Sequence, residues 1–202
     1  MEITADMIKA LRAETGAGVL DCRKALQESG GDYQKALAWL QEKGMAMAAN
    51  RSERAASNGT IEIYSHGGGR VGVMVEVNCE TDFVARSEQF RTLAHEIALQ
   101  IAANAPRFIR SEDIPPAELE KETEKAKARG REEGKSEAVV EKMIEGALEK
   151  FKDETVLLRQ AYIRDETLTV EKLVMQNVAA IGENVVVRRF QRWELGESAS
   201  QP

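Results

Sequence analysis

An acid beside a large aromatic ring, Asp82-Phe83, sits where one pattern in the chain ends and another begins. Upstream, Val71, Val73, Val75, Val77 and Cys79 recur at every second residue, with Gly72, Met74, Glu76, Asn78 and Glu80 between them. That is the period of a β-strand packed on one face. The alternation stops at Thr81 and a helical pattern begins near Ser87, which places Asp82 and Phe83 in a short strand-to-helix loop. Periodicity alone favours a ring that folds back to cap the sheet. The other reading is an aromatic wedge and a carboxylate presented outward on a rigid mount.

No other group of residues assembles a reaction centre. His66-Gly67-Gly68-Gly69 has the look of an esterase oxyanion loop, but that chemistry needs a G-x-S-x-G nucleophile elbow, which the chain lacks. A glycine-rich turn can also cradle a phosphate. This one joins two strands instead of opening a helix and has no Lys-Ser/Thr ending, so it reads as a hairpin turn. His66 and His95 stand apart from any Cys/His cluster, which argues against a metal site, and Cys22 and Cys79 form no CxxC pair. Two small buried thiols are expected instead. Neither a catalytic residue nor a cofactor is indicated.

A formal net charge of −6 over 202 residues disfavours the broad basic surface that phosphate backbones require, so a protein partner is expected rather than nucleic acid. No run approaches the roughly 20 apolar residues of a membrane helix, and the opening residues do not read as a signal peptide. A cytoplasmic protein without a membrane contact is the expectation.

The elements that must position the Asp-Phe pair follow from periodicity and caps. Thr4 can cap a first helix bearing Met7, Ile8 and Leu11, broken at Thr15 to Gly18. A second runs from about Val19 to Glu28 with Cys22, Ala25 and Leu26 on one side. Asp32 caps a third through Tyr33, Ala36, Leu37 and Leu40, with Gly44 expected to close it. Met45 to Asn58 reads as a partly helical connector.

Ile61 and Ile63 alternate with Glu62 and Tyr64 and form a hairpin with the strand from Val71. Phe90, Leu93, Ala94, Ile97 and Ile101 mark a covering helix ended by Pro106. Glu118 to Glu133 reads as a solvated helix interrupted at Gly130, with Glu118–Lys121, Glu122–Lys125 and Glu124–Lys127 at i, i+3. Ser136 caps an amphipathic helix with Val139, Val140, Met143, Ile144, Ala147, Leu148 and Phe151 on its inner face. Thr155 to Ile163 reads as a possible third strand, Thr169 caps a helix through Leu173, Val174, Val178 and Ile181, and Asn184 to Leu195 reads as a final strand. Glu197 to Pro202 is expected to be a frayed tail. The order is that of an α+β fold.

Two blocks carry a family resemblance: Leu11 to Leu26, LRAETGAGVLDCRKAL, and Val75 to Phe90, VEVNCETDFVARSEQF. Together with Gly31-Asp32, Lys43-Gly44, Glu145-Gly146, Leu157-Leu158 with Gln160, and Ile181-Gly182-Glu183-Asn184 through Arg188-Arg189-Phe190, they resemble bacterial elongation factor Ts over nearly the whole chain. The resemblance implies a ubiquitin-associated-like three-helix domain over residues 1–55 and, over residues 56–202, an α+β core for dimerisation and exchange, with a three-stranded antiparallel sheet covered by helices. On that count the strand at Thr155 to Ile163 is the surplus one.

The resemblance also implies a guanine-nucleotide exchange factor for elongation factor Tu. Thr81, Asp82, Phe83 and Val84 would act at that partner's Mg²⁺ site, and Arg12, Val19 and Leu20 would grip its G domain. A homodimer is implied for a chain of this length. Gln100 departs from the family pattern, in which His is frequent, so any contact made by that His is in doubt here. Packing of Val19 and Leu20 within the small bundle is the competing reading of those two residues. A non-catalytic adaptor working through the N-terminal helices is the alternative function, and an enzyme ranks below both.

Overall fold

The computed structural model describes residues 3–197; the expected frayed tail falls, beyond Glu197, outside the described residues. Three helices open the chain: α1 (Ala5–Thr15), α2 (Val19–Glu28) and α3 (Tyr33–Ala49). Thr4 accepts from the Met7 amide and Asp32 from the Lys35 amide, the two expected caps. Leu11, Cys22, Ala25, Leu26, Ala36, Leu37 and Leu40 form a small core of their own.

Helix α3 does not stop at Gly44 but continues to Ala49. Gly44 lies inside it because a Cβ there would come within 3.1 Å of Ala179 Cβ on the last long helix, so the glycine permits close approach of two helices rather than ending one. Ala48, a turn further on, belongs to the main core.

That core lies between a sheet and the helix that covers it. Strands β1 (Asn58–His66), β2 (Val71–Cys79) and β5 (Val185–Glu194) form an antiparallel sheet in the order β1-β2-β5. The turn between β1 and β2 has Gly67, Gly68 and Gly69 all at positive φ, which side-chain-bearing residues adopt poorly. Inward from β2 point Val73, Val75, Val77 and Cys79, all buried, against α5 (Glu88–Asn104) with Phe90, Leu93, Ala94, Ile97 and Ile101. Pairing then decides the face of every neighbour. Thr60, Glu62 and Tyr64 sit opposite Val77, Val75 and Val73 and face α5, so Ile61 and Ile63 are turned to the outside.

A helical hairpin follows, α6 (Pro116–Glu132) and α7 (Glu137–Thr155). Gly130 does not interrupt α6; it is buried because a Cβ there would meet Val140 Cγ2 at 2.8 Å. Of the expected charge pairs, Lys125–Glu122 and Lys127–Glu124 form, but Glu118 turns to Arg107 instead of Lys121. Ser136 precedes α7 without capping it through its side chain, and the apolar stripe of α7 is only half-covered, with Val139 exposed.

The possible strand at Thr155 to Ile163 is not one. Val156 and Leu157 are both fully buried in succession, Leu157–Arg159 is a 3₁₀ turn, and only β3 (Ala161–Tyr162) extends, pairing with β4 (Asp165–Thr169) in a separate small ribbon. Side-chain amides replace the missing ladder. Fully buried Gln100 donates to Gln160 Oε1 and to the Ala161 carbonyl, both at 3.1 Å, and accepts from the Ile163 amide, while Gln160 reaches the Asn104 and Glu154 carbonyls. The departure at Gln100 therefore touches the interior, and its side chain is spent there on Gln160 and two backbone groups. Helix α8 (Val170–Ile181), capped by Thr169, then leads through Gly182 into β5.

The tight α3–α8 crossing makes a testable prediction. Gly44→Ala gains about 1 kcal/mol of helix propensity, which offsets slight crowding, and should be near neutral. Gly44→Leu must displace Ala179 and should lose about 1–3 kcal/mol in denaturant unfolding.

Candidate functional site

The loop after β2 contains a single helical turn, α4 (Asp82–Ala85), in place of an irregular connection. Thr81 caps it by accepting from the Val84 amide at 3.3 Å, and Ser87 both receives the chain leaving it and caps α5 by accepting from the Phe90 amide. A turn closed at both ends has little freedom. Its four residues divide by direction. Val84 is buried and anchors the turn in the main core, whereas Phe83 is 81% exposed. The ring does not fold back over the sheet as periodicity favoured. The capping place belongs to its neighbour Val84, because one turn of helix cannot direct two successive side chains to the same side.

Asp82 is also open. Its carboxylate pairs with Arg86 at 3.0 Å across one helical turn, with both side chains mostly in solvent, a pair worth about 0.3–0.5 kcal/mol. Such a pair gives way readily to a cation of higher charge density.

The mount beneath the turn is polar and crossed by hydrogen bonds. The Cys79 thiol donates to the Thr81 carbonyl at 3.1 Å, and burial pushes its pKa up, so it serves as a neutral donor and not as a nucleophile. Burial does the same to Cys22. Glu80 has its carbonyl held by Asn58 Nδ2 at 2.8 Å and its carboxylate by the Asn184 amide at 2.7 Å, with Arg54 nearby. Glu183, in the segment joining α8 to β5, returns the connection. One carboxylate oxygen accepts from the Glu80 and Thr81 amides at 3.1 and 3.0 Å, and the other accepts from the Thr81 hydroxyl at 2.6 Å. In the sequence Glu183 stands only as part of the Ile181–Asn184 motif; the contact joins residues more than a hundred positions apart, which no local period encodes.

The N-terminal candidates are exposed as well. Val19 is 49% and Leu20 80% exposed, so neither packs the small bundle, and Arg12 is at the surface of α1. Arg12, the Thr15–Gly18 turn and Gln89 of α5 line one cleft of about 680 Å³ between the bundle and the core. Gly16 closes the bundle onto α8: a Cβ on it would lie 2.7 Å from Ala180 Cβ. Among the described residues no group of three or more His, Cys, Asp or Glu side chains could hold a metal ion, and no helix is long and apolar enough to cross a membrane.

Known proteins resemble this chain over nearly its whole length. The family model for elongation factor TS matches residues 25–197. The elongation factor Ts of Desulforamulus reducens is 54% identical over 196 residues, covering 97% of this chain and 90% of that protein. The elongation factor Ts of Coprothermobacter proteolyticus is 51% identical over 197 residues, 98% of this chain and 100% of that one. That of Moorella thermoacetica is 51% identical over 199 residues, 98% of each. With half its residues shared across whole relatives, the α+β chain with its three N-terminal helices belongs to the elongation factor Ts family.

Proposed function

We propose that the chain loosens GDP from elongation factor Tu by pressing the Thr81–Val84 turn against that partner's Mg²⁺ and phosphate site. Family membership makes it a nucleotide exchange factor for elongation factor Tu in translation elongation. What supports the finer reading is the exposed Phe83 ring on a turn fastened at both ends. Leaving such a ring in water forgoes about 1.5–3 kcal/mol that burial would return, and a partner that opens a slot for it recovers that amount. Asp82 beside it carries a hard oxygen ligand, loosely paired, that can compete for the Mg²⁺ surroundings.

Elongation factor Tu, as a P-loop protein, holds GDP through backbone amides and Mg²⁺. An exchange factor needs only to bind the nucleotide-free conformation better, and linkage makes GDP weaken the factor's binding by the same ratio. No bond of a substrate is made or broken, so the chain is not an enzyme in the usual sense. In this reading residues 1–55 grip the G domain through Arg12, Val19 and Leu20, while residues 56–202 carry exchange and dimerisation, in the cytoplasm, without cofactor, membrane or direct nucleic-acid contact. Arg12 of the bundle and Gln89 of α5 line one cleft between the two regions.

Dimerisation falls to the outer face of the sheet. Ile61, Ile63, Met74 and Trp193 are 54%, 72%, 48% and 72% exposed on one surface, crossed by the Arg189–Glu76 pair. Two such faces, each from one copy, can stack about 10 Å apart as a sandwich, a self-complementary contact.

Two measurements test the reading. Release of fluorescent GDP from elongation factor Tu should be slowed roughly 10- to 100-fold by Phe83→Ala and less by Asp82→Ala; normal release from both folded variants removes the wedge. A nucleotide-free complex on a column should dissociate when GDP with Mg²⁺ is added, and a complex indifferent to nucleotide would point to a simple adaptor. For the dimer, light scattering should give twice the 22.4 kDa chain mass, and a single chain mass for Ile63→Lys.

A further inference from the structure

We infer that Glu183 is a positioning residue for exchange: its carboxylate sets the Asp82-Phe83 turn and references it to the same helix end on which the N-terminal bundle rests. The inference rests on the reading of Phe83 as the acting group. Glu183 gathers three donors from two adjacent residues, the Glu80 and Thr81 amides and the Thr81 hydroxyl, at 3.1, 3.0 and 2.6 Å. Thr81 is the cap of α4, so the hydroxyl that Glu183 orients is the one that receives the Val84 amide. The position of the turn passes through this carboxylate.

Two features separate the contact from ordinary surface packing. Among the described residues Glu183 forms no ion pair, and its carboxylate accepts only from Glu80 and Thr81. The connection is also reciprocated, because Glu80 accepts from the Asn184 amide at 2.7 Å, so that two adjacent residues of each segment hold the other. Charge-assisted bonds of this kind are short and directional.

The other end of the same segment meets the bundle. Gly16 lies against Ala180 and Gly44 against Ala179, three and four residues before Glu183. The final turn of α8 therefore spaces the exposed Leu20 surface from the exposed Phe83 ring. Thr81 is itself at the surface, so water can take its amide and hydroxyl if Glu183 is removed. The fold then survives, and what is lost is the single position of the turn.

The test is a double-mutant cycle on release of fluorescent GDP from elongation factor Tu at saturating full-length factor, with far-UV circular dichroism and melting of every variant. Glu183→Ala should slow release roughly 10- to 100-fold, the scale expected when an acting group is misplaced by about 1 Å. Glu183→Gln, which keeps an acceptor for the two amides, should recover most of the rate. In a Phe83→Ala background, Glu183→Ala should change the rate by less than about twofold, since there is no ring left to position.

Wild-type release by Glu183→Ala beside slow release by Phe83→Ala overturns the inference and leaves the wedge standing. An equal factor in both backgrounds also overturns it, placing Glu183 in the general fold or in another contact. Normal release by Phe83→Ala instead overturns the wedge reading itself, and this inference with it. Should Glu183→Ala not fold, Glu183→Asp, one methylene short of the turn, is read against the same three outcomes.

Discussion

The inward face of β2 is the constraint on which the rest of the structure depends. Val73, Val75, Val77 and Cys79 are packed under α5 with almost no exposure, and each buried Val contributes about 1.5–3 kcal/mol relative to leaving it in water. A slip of one residue would turn all four outward, so the register of the sheet has no near competitor. From that register the positions of distant residues follow. Thr60 and Tyr64 must face α5, Ile61 and Ile63 must face out, and the strand must end with Cys79 inside and Thr81 at the rim.

The rim is where stability gives way to display. A core strand ends, a carboxylate from another segment takes its last amides, and a one-turn helix places one side chain in and the next one out. Val84 secures the turn by burial; Phe83 is left in solvent because the geometry that buries Val84 excludes it. Exposure of the ring is therefore a consequence of how the turn is fastened, and rigidity and availability have the same origin. A mobile loop bearing the same two residues would lose conformational entropy on docking, and this one has already lost it in folding.

The glycines at helix crossings show a related economy. Gly16, Gly44 and Gly130 each stand where a methyl group would meet a neighbouring side chain, at Ala180, Ala179 and Val140. Close approach at α8 ties the N-terminal bundle to the segment that also holds the Asp-Phe turn. The α6–α7 hairpin is joined in the same way at Gly130, although the apolar stripe of α7 is only half-covered.

Much of this was legible in the amino-acid order. Caps at Thr4, Asp32 and Thr169, the alternation in β2 and the apolar face of α5 are local signals, and the helices and strand they mark begin where those signals stand. The motifs that carry the family resemblance were likewise present as sequence, and the relatives bear that out.

Three things were not legible. Gly44 read as a helix end and Gly130 as an interruption because a glycine's local preference is visible and its neighbour across space is not. Thr155 to Ile163 read as a strand because its β-branched and apolar residues suit one, while the buried amides of Gln100 and Gln160 that hold it as a turn come from α5 and from the turn itself. The direction of Phe83 and the grip of Glu183 belong to the same class. The sequence by itself determined the strongly periodic elements, the β2 strand and the amphipathic helices with their N-terminal caps, since those follow from periods of two and 3.6. Only the tertiary structure decided which boundary residues face outward and which distant carboxylate holds them, because packing and long-range hydrogen bonds depend on contacts that no local period contains.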